Sequence, residues 1–198
     1  MDIKDQFDKP VDIAHIEKIE QDLANHFIEQ NDIVFELGAR YGSVSCVINS
    51  KLSCKTNQVV VEPDPRVWKA LERNKKANNC FFHIVKGFVS YKKLALGSIY
   101  SCNGYATTSI EMESSTLPTF TMEDINKKYK LKFNVLVADC EGFLEMFFDE
   151  NPTFYDNLRL IIFEADYPDK CDYKKIQNAL KERGFKEKIS GFQNVWIK

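Results

Sequence analysis

Apolar and polar positions change period along this chain in a regular way. Short continuous apolar runs occur in DIVFEL, QVVVEPDP, FFHIV, KFNVLVADCEG and NLRLIIFEAD, and each reads as a buried strand. The stretches between them repeat at helical spacing. SVSCVINSKL places Val44, Val47, Ile48 and Leu52 on one face, and RVWKALERNKKANN buries Val67, Trp68 and Leu71. TMEDINKKY opens on Thr121 with Asp124 three residues later, a capping box. FLEMFFDENP is stopped by Pro152. In CDYKKIQNALKERG, Asp172 is the N-cap, Ile176 and Leu180 face inward and Gly184 ends the helix. Ahead of all this, Ile13, Ile16, Leu23 and Phe27 predict an amphipathic helix within an N-terminal helical segment, residues 1–31.

Strands alternating with helices imply a parallel sheet with right-handed crossovers, covered on both faces. FKEKIS and QNVWIK, separated by Gly191-Phe192, predict an antiparallel hairpin at the end of that sheet. The expectation is a single α/β domain over residues 1–198, Rossmann-like and doubly wound, with a mostly parallel sheet. Only residues 88–118 interrupt the pattern. Turn signals at Gly97-Ser98 and Asn103-Gly104 mark an inserted loop or hairpin over the sheet edge, and long insertions in compact domains are commonly functional.

Composition narrows the classes. With 198 residues, 44% hydrophobic and 28% charged, the chain supports one full core. A formal net charge of −2 argues against a general nucleic-acid binder. The six cysteines are scattered without a C-x-x-C pair, which predicts reduced thiols rather than a zinc site or disulfide framework. With no apolar leader and no run of 18 apolar residues, neither a signal peptide nor a membrane span is expected, and a cytoplasmic location follows as the default. His15 and His26 read as surface or interhelical, and His83 as a structural residue of the third strand. Phe81 and Phe82 read as core.

The chemistry lies at the strand ends. Four runs terminate in carboxylates: Glu36; Glu62; Asp139 with Glu141 close behind; and Glu164 with Asp166. In an open parallel sheet the carboxyl ends share one rim, where ligands bind at the switch point of strand order. The glycine loop after the first strand, Gly38-Ala39-Arg40-Tyr41-Gly42, is not a dinucleotide fingerprint. Arg40 stands where that fingerprint needs a glycine for the pyrophosphate, and the third glycine is displaced. Glu62, at the second strand tip beside Pro63 and Asp64, suits ribose hydroxyls. A rim of carboxylates suits a cationic, ribose-bearing ligand such as S-adenosylmethionine better than a dinucleotide's phosphates.

FELGARYG, VVVEPDPRVWKALERN, TMEDI, VLVADCEGFLEMFF, LIIFEAD and ALKERGF with the terminal hairpin together resemble the class I S-adenosylmethionine-dependent methyltransferases, more narrowly the FkbM type. The resemblance spans about residues 32 to 198. It implies a cofactor pocket whose methionine side is shaped by Glu36, Gly38 and Gly42, with Arg40 and Tyr41 in the same loop. It further implies ribose held by Glu62, with Pro63, Asp64, Gly87 and Phe88 near the adenine. Ser109 of the insert and Asp139 complete the set. Val137 departs from the family, which commonly has a lysine there.

Transfer of a methyl group to a hydroxyl needs orientation and loss of a proton, through a general base or a divalent metal. Asp139, Glu141 and Glu164 are the catalytic candidates. Asp139, Glu164 and Asp166 form a hard-oxygen set suited to Mg²⁺ or Mn²⁺, resembling the sites of metal-dependent O-methyltransferases. The resemblance implies a sugar, glycan or small-molecule hydroxyl as acceptor. Tyr100 and Tyr105 of the insert are candidates to stack on a sugar ring or to pack the loop down. A protein or RNA methyltransferase, a non-catalytic cofactor-binding module and a nicotinamide-dependent oxidoreductase are the alternatives.

Overall fold

The computed structural model describes residues 1–97 and 107–198. In chain order the first half contains α1 (Lys18–Phe27), β1 (Val34–Leu37), α2 (Ser43–Lys51), β2 (Gln58–Glu62), α3 (Trp68–Ala77) and β3 (His83–Lys86). Four short strands follow: β4 (Phe88–Val89), β5 (Leu94–Leu96), β6 (Ser109–Glu111) and β7 (Thr119–Phe120). The chain continues through α4 (Met122–Tyr129), β8 (Val135–Ala138), α5 (Leu144–Glu150), a 3₁₀ turn (Phe154–Asn157), β9 (Leu160–Glu164), α6 (Tyr173–Glu182), β10 (Lys186–Ile189) and β11 (Gln193–Ile197).

The main sheet has seven strands in the order β10-β11-β9-β8-β1-β2-β3. β3, β2, β1, β8 and β9 run parallel, and β11 is antiparallel to both of its neighbours, β9 and β10. The strand order reverses between β1 and β8, which are paired in register from Val34↔Val135 to Leu37↔Ala138. Of these, β1, β2, β8 and β9 are buried on both faces, which is why they read as continuous Val/Ile/Leu/Phe runs rather than as alternating ones. Phe35, Leu37, Val59, Val61, Leu136, Ile161 and Phe163 pack under α4, α5 and α6. The opposite face, with Val34, Val60, Val135, Val137, Leu160 and Ile162, lies under α1, α2 and α3.

Local signals act as the pattern predicts at several ends. Thr121 and Asp124 form the reciprocal capping box of α4. Asp172 accepts from the Lys175 amide at the start of α6, and Gly184 leaves that helix at φ 83. The first helix differs, since it begins at Lys18 rather than near Ile13. The Gln21 side-chain amide donates to the carbonyls of Ile13 and Ile16 at 3.1 and 3.0 Å, and Glu17 turns into the left-handed region at φ 53. The residues before it form a small loop closed by a Lys4–Pro10 bridge and held to α3 by Asn74 and Asn78. Phe82 is core, but Phe81 is 56% exposed, because β3 begins only at His83 and Phe81 belongs to the connection. His83 is half-buried, against the Tyr129 ring at 4.7 Å between centroids.

The described residues of the 88–118 segment form two small ladders with their neighbours. β4 pairs parallel with β7, and β5 pairs antiparallel with β6. Gly87 allows the first of these: at φ 147, a Cβ there would lie 2.2 Å from the Pro118 carbonyl oxygen. Ser98, Tyr100, Cys102, Asn103, Gly104 and Tyr105, on which a turn and a stacking role are expected, lie outside the described residues.

The two ends of the main sheet differ. At the amino end, Asp32 is buried and accepts from Arg159 Nε at 2.7 Å and from Asn134 Nδ2 at 3.1 Å. Asn134 Oδ1 accepts in turn from the Ile33 amide at 2.8 Å. These bonds tie the starts of β1, β8 and β9 together. The carboxyl end carries the acids.

Candidate functional site

Strand parity puts the four tip acids on one face. Glu36 follows Val34, Glu62 follows Val60, Asp139 follows Val137 and Glu164 follows Ile162, each at a spacing of two, so all four belong to the face covered by α1–α3. Two adjoining cavities open along this rim and share Leu37, Gly38 and Asp139.

The larger is a cleft of about 740 Å³, counted to its open mouth. Arg40, Glu62, Pro63, Asp64, Phe88, Leu96, Thr107, Ser109, Asp139 and Glu141 are among its walls. Glu62 is 5% exposed, and both of its oxygens are fixed by backbone amides: Oε2 by Arg40 at 2.6 Å and Oε1 by Asp64 at 2.8 Å. Burial dominates these bonds and pushes its carboxyl up to about 7. Each oxygen retains acceptor capacity, as two vicinal hydroxyls would require. Asp64 is engaged otherwise: Arg66 clamps its carboxylate, with Nε at 2.8 Å from Oδ1. Arg66 also reaches Thr107 at 3.3 Å, and Lys170 Nζ donates to Thr108 at 2.8 Å, so both cations hold the start of the β6 segment beside the cleft.

The second cavity is acidic. Glu17, Glu20, Glu36, Asp139 and Glu164 line it with Gln193 and an apolar floor of Val44, Val137, Ile162 and Phe163. No lysine, arginine or histidine among the described residues lines it. Glu36 is 2% exposed and accepts from Ser45 Oγ at 2.6 Å and Gln58 Nε2 at 2.9 Å, yet burial pushes its carboxyl up to about 7. Glu17 accepts from Ser43 Oγ, and it too is raised by burial to about 7. Asp139 rises to about 8 through burial and then the charges of Glu17 and Asp166, with Arg40 opposing. Glu164, which accepts from Gln193 Nε2 at 2.8 Å, rises to about 9 through burial and the charge of Asp139. At neutral pH the rim therefore keeps protons that a bound cation would displace.

The remaining site candidates separate. Asp139, Glu164 and Asp166 present one carboxylate oxygen each within 4.8 Å of one another, a donor set that fits a hard divalent cation. Asp166 also accepts from Tyr173 Oη at 2.9 Å. Glu141, at φ 52, lines the cleft rather than the acidic cavity. Glu36 lines only the acidic cavity. Tyr41, Gly42 and Gly87 line neither. Tyr41 is buried with Ile3 and Val67 and donates to Gln6, and Gly42 is the left-handed N-cap of α2 against Leu71. Gly38 does line both cavities, but its missing side chain is required by the protein itself. At φ 87, a Cβ there would fall 1.6 Å from the Asp139 carbonyl oxygen, where the chain leaving β1 lies beside the chain leaving β8. Val137 projects into the acidic cavity, so this chain has an apolar group among five carboxylates where the resembled family commonly has a lysine.

Glu17 and Glu20 were not candidates in the sequence. They precede and open a helix whose placement against the β9 tip is tertiary, through the bond from Gln193 to Glu20, and nothing local marks them.

No family model matches the sequence, and no curated protein matches it. Solved structures do match. A precorrin-6y C5,15-methyltransferase from Geobacter metallireducens is 12% identical over 92% of this chain and 88% of its own, with a TM-score of 0.55. An O-methyltransferase from Bacillus cereus, in complex with SAH, is 12% identical over 91% and 80%, at 0.53. An rRNA methylase from Streptococcus thermophilus is 7% identical over 90% and 92%, also at 0.53. At such identities the likeness is one of fold: the chain has the Rossmann-like α/β fold that these methyltransferases share.

Proposed function

We propose that the protein is an S-adenosylmethionine-dependent O-methyltransferase of the FkbM type, acting on a hydroxyl of a sugar, glycan or small molecule. The observation that carries this reading is the pairing of Glu62, amide-fixed at the β2 tip, with an acidic cavity that meets its cleft at Asp139. A ribose site beside a cation site is what a nucleoside sulfonium requires, and a pyrophosphate would meet five carboxylates there.

The cofactor supplies an activated methyl group on a cationic sulfur. Glu62 offers its remaining lone pairs to the ribose hydroxyls, while Pro63, Phe88 and Leu96 wall a slot for a flat ring. Glu17, Glu36 and Glu164 give the acidic cavity its affinity for positive charge. Asp139 stands at the junction, half-buried, with its carboxyl raised to about 8. That value is close to working pH, as suits a group that takes a proton from an acceptor hydroxyl. In the alternative arrangement Asp139, Glu164 and Asp166 would hold Mg²⁺ or Mn²⁺, which would supply Lewis-acid charge at that point in place of the base.

Calorimetric titration with S-adenosylmethionine, S-adenosylhomocysteine and NAD tests the reading. The first two are expected to bind and NAD is not. Binding of NAD without the homocysteine product would overturn it.

A further inference from the structure

We propose that Cys46 and Cys80 form a thiol–disulfide exchange site, open to small disulfides of the glutathione class. Cys46 lies on α2, one turn past the glycine loop, and Cys80 lies in the connection after α3. They are far apart in sequence but share one cluster with Val60, Leu71 and Phe82, and the Phe81 amide, donating to Asn49 Oδ1 at 3.0 Å, seats the Cys80 connection against α2. Cys46 and Cys80, 2% and 8% exposed, both line one surface cavity with Lys55, and Cys80 lines a second hollow with Lys75.

The two sulfurs are unequal. Cys80 Sγ donates to the Asn78 carbonyl at 3.5 Å, while the neighbouring Cys46 and the charges of Lys55 and Lys75 hold the Cys80 thiol below the ordinary range. Interaction with Cys80 and burial hold Cys46 above it. The remaining described thiols lack this setting. Cys54 is exposed and its bond to Thr56 also holds it below the ordinary thiol range, but it belongs to neither the cluster nor the cavity of Cys46 and Cys80. Burial and the charges of Asp139 and Asp166 push Cys140 well up.

The exchange balances in two displacements. The Cys80 thiolate attacks one sulfur of oxidised glutathione, forming a mixed disulfide and releasing one glutathione thiolate. The Cys46 thiol then loses its proton and attacks the Cys80 sulfur, and the second glutathione leaves. The protein loses two hydrogens and two electrons, and oxidised glutathione is reduced to two thiols.

The folded full chain is incubated with oxidised glutathione, quenched with an alkylating agent and digested with trypsin without reductant. The expected product is a disulfide joining the peptides 41–51 and 77–86. In Cys46→Ser, the expected product is a glutathione adduct on Cys80 that goes no further. Cys80→Ser should yield neither product. Circular dichroism of each variant before treatment shows that it is folded. Modification of Cys54 with Cys46 and Cys80 still alkylated would overturn the site, as would an unlinked adduct on Cys80 in the parent protein. An adduct on Cys46 in Cys80→Ser would overturn the order of attack.

Discussion

Replacing Glu36 with glutamine should stabilise the ligand-free protein at alkaline pH and do little at acid pH. The carboxyl is 2% exposed, and burial raises it from the ordinary 4.5 to about 7. The folded chain therefore retains a proton that the unfolded chain has already lost. Folding stability from this group is undiminished below the unfolded value and falls as pH climbs toward the folded value, after which it levels off. The full gap corresponds to about 3 kcal/mol, of which about 2.5 kcal/mol develops between about pH 5 and about pH 8. Glutamine mimics the protonated acid. Its carbonyl can accept from Gln58 Nε2, and its amide can donate to Ser45 Oγ, so neither partner is orphaned. Urea unfolding of both proteins at the two pH values measures the difference. A Glu36→Gln effect of the same size at both would refute the raised carboxyl and with it the account of a rim that keeps protons at neutral pH.

Glu62→Ala should weaken S-adenosylhomocysteine binding by roughly 10- to 150-fold, the value of hydrogen bonds to a charged group, measured by calorimetry; unchanged affinity would remove Glu62 from the ribose site. Gly38→Ala should lower the urea midpoint, since the left-handed backbone alone costs about 1–2 kcal/mol and the Asp139 carbonyl occupies the space a methyl needs. An unchanged midpoint would show that the strand tips do not meet as described. Asp139→Ala should reduce methyl transfer far more than cofactor affinity. Chelation should abolish transfer and Mg²⁺ or Mn²⁺ should restore it; full activity after exhaustive EDTA treatment would end the metal assignment.

The strand-tip acids are legible in the chain because a parallel strand buried on both faces has no polar residue until its end, so Glu36, Glu62, Asp139 and Glu164 stand out. That they also share one face follows from counting two residues back to a buried valine or isoleucine. Helix ends with a local chemical cause, such as Thr121 with Asp124, are legible for the same reason. Other features depend on distant partners. Tyr41 sits in the glycine loop but is drawn into the cluster beneath the N-terminal residues, and Glu36 turns toward α2 because Ser45 and Gln58 hold it there. The late start of α1 needs Gln21 to capture two carbonyls, a contact no periodicity encodes.

The polar knot of Asp32, Asn134 and Arg159 means that the two ends of the same strands live under different forces. One end is latched by a buried ion pair and amide bonds, while the other holds carboxylates that repel one another as they ionise. Breathing of the sheet must therefore pivot at the latch and spread at the rim, like a fan held at its rivet. Amide exchange along β1 should be slowest near Ile33 and quicken toward Gly38, with a gradient that steepens as the solution becomes alkaline.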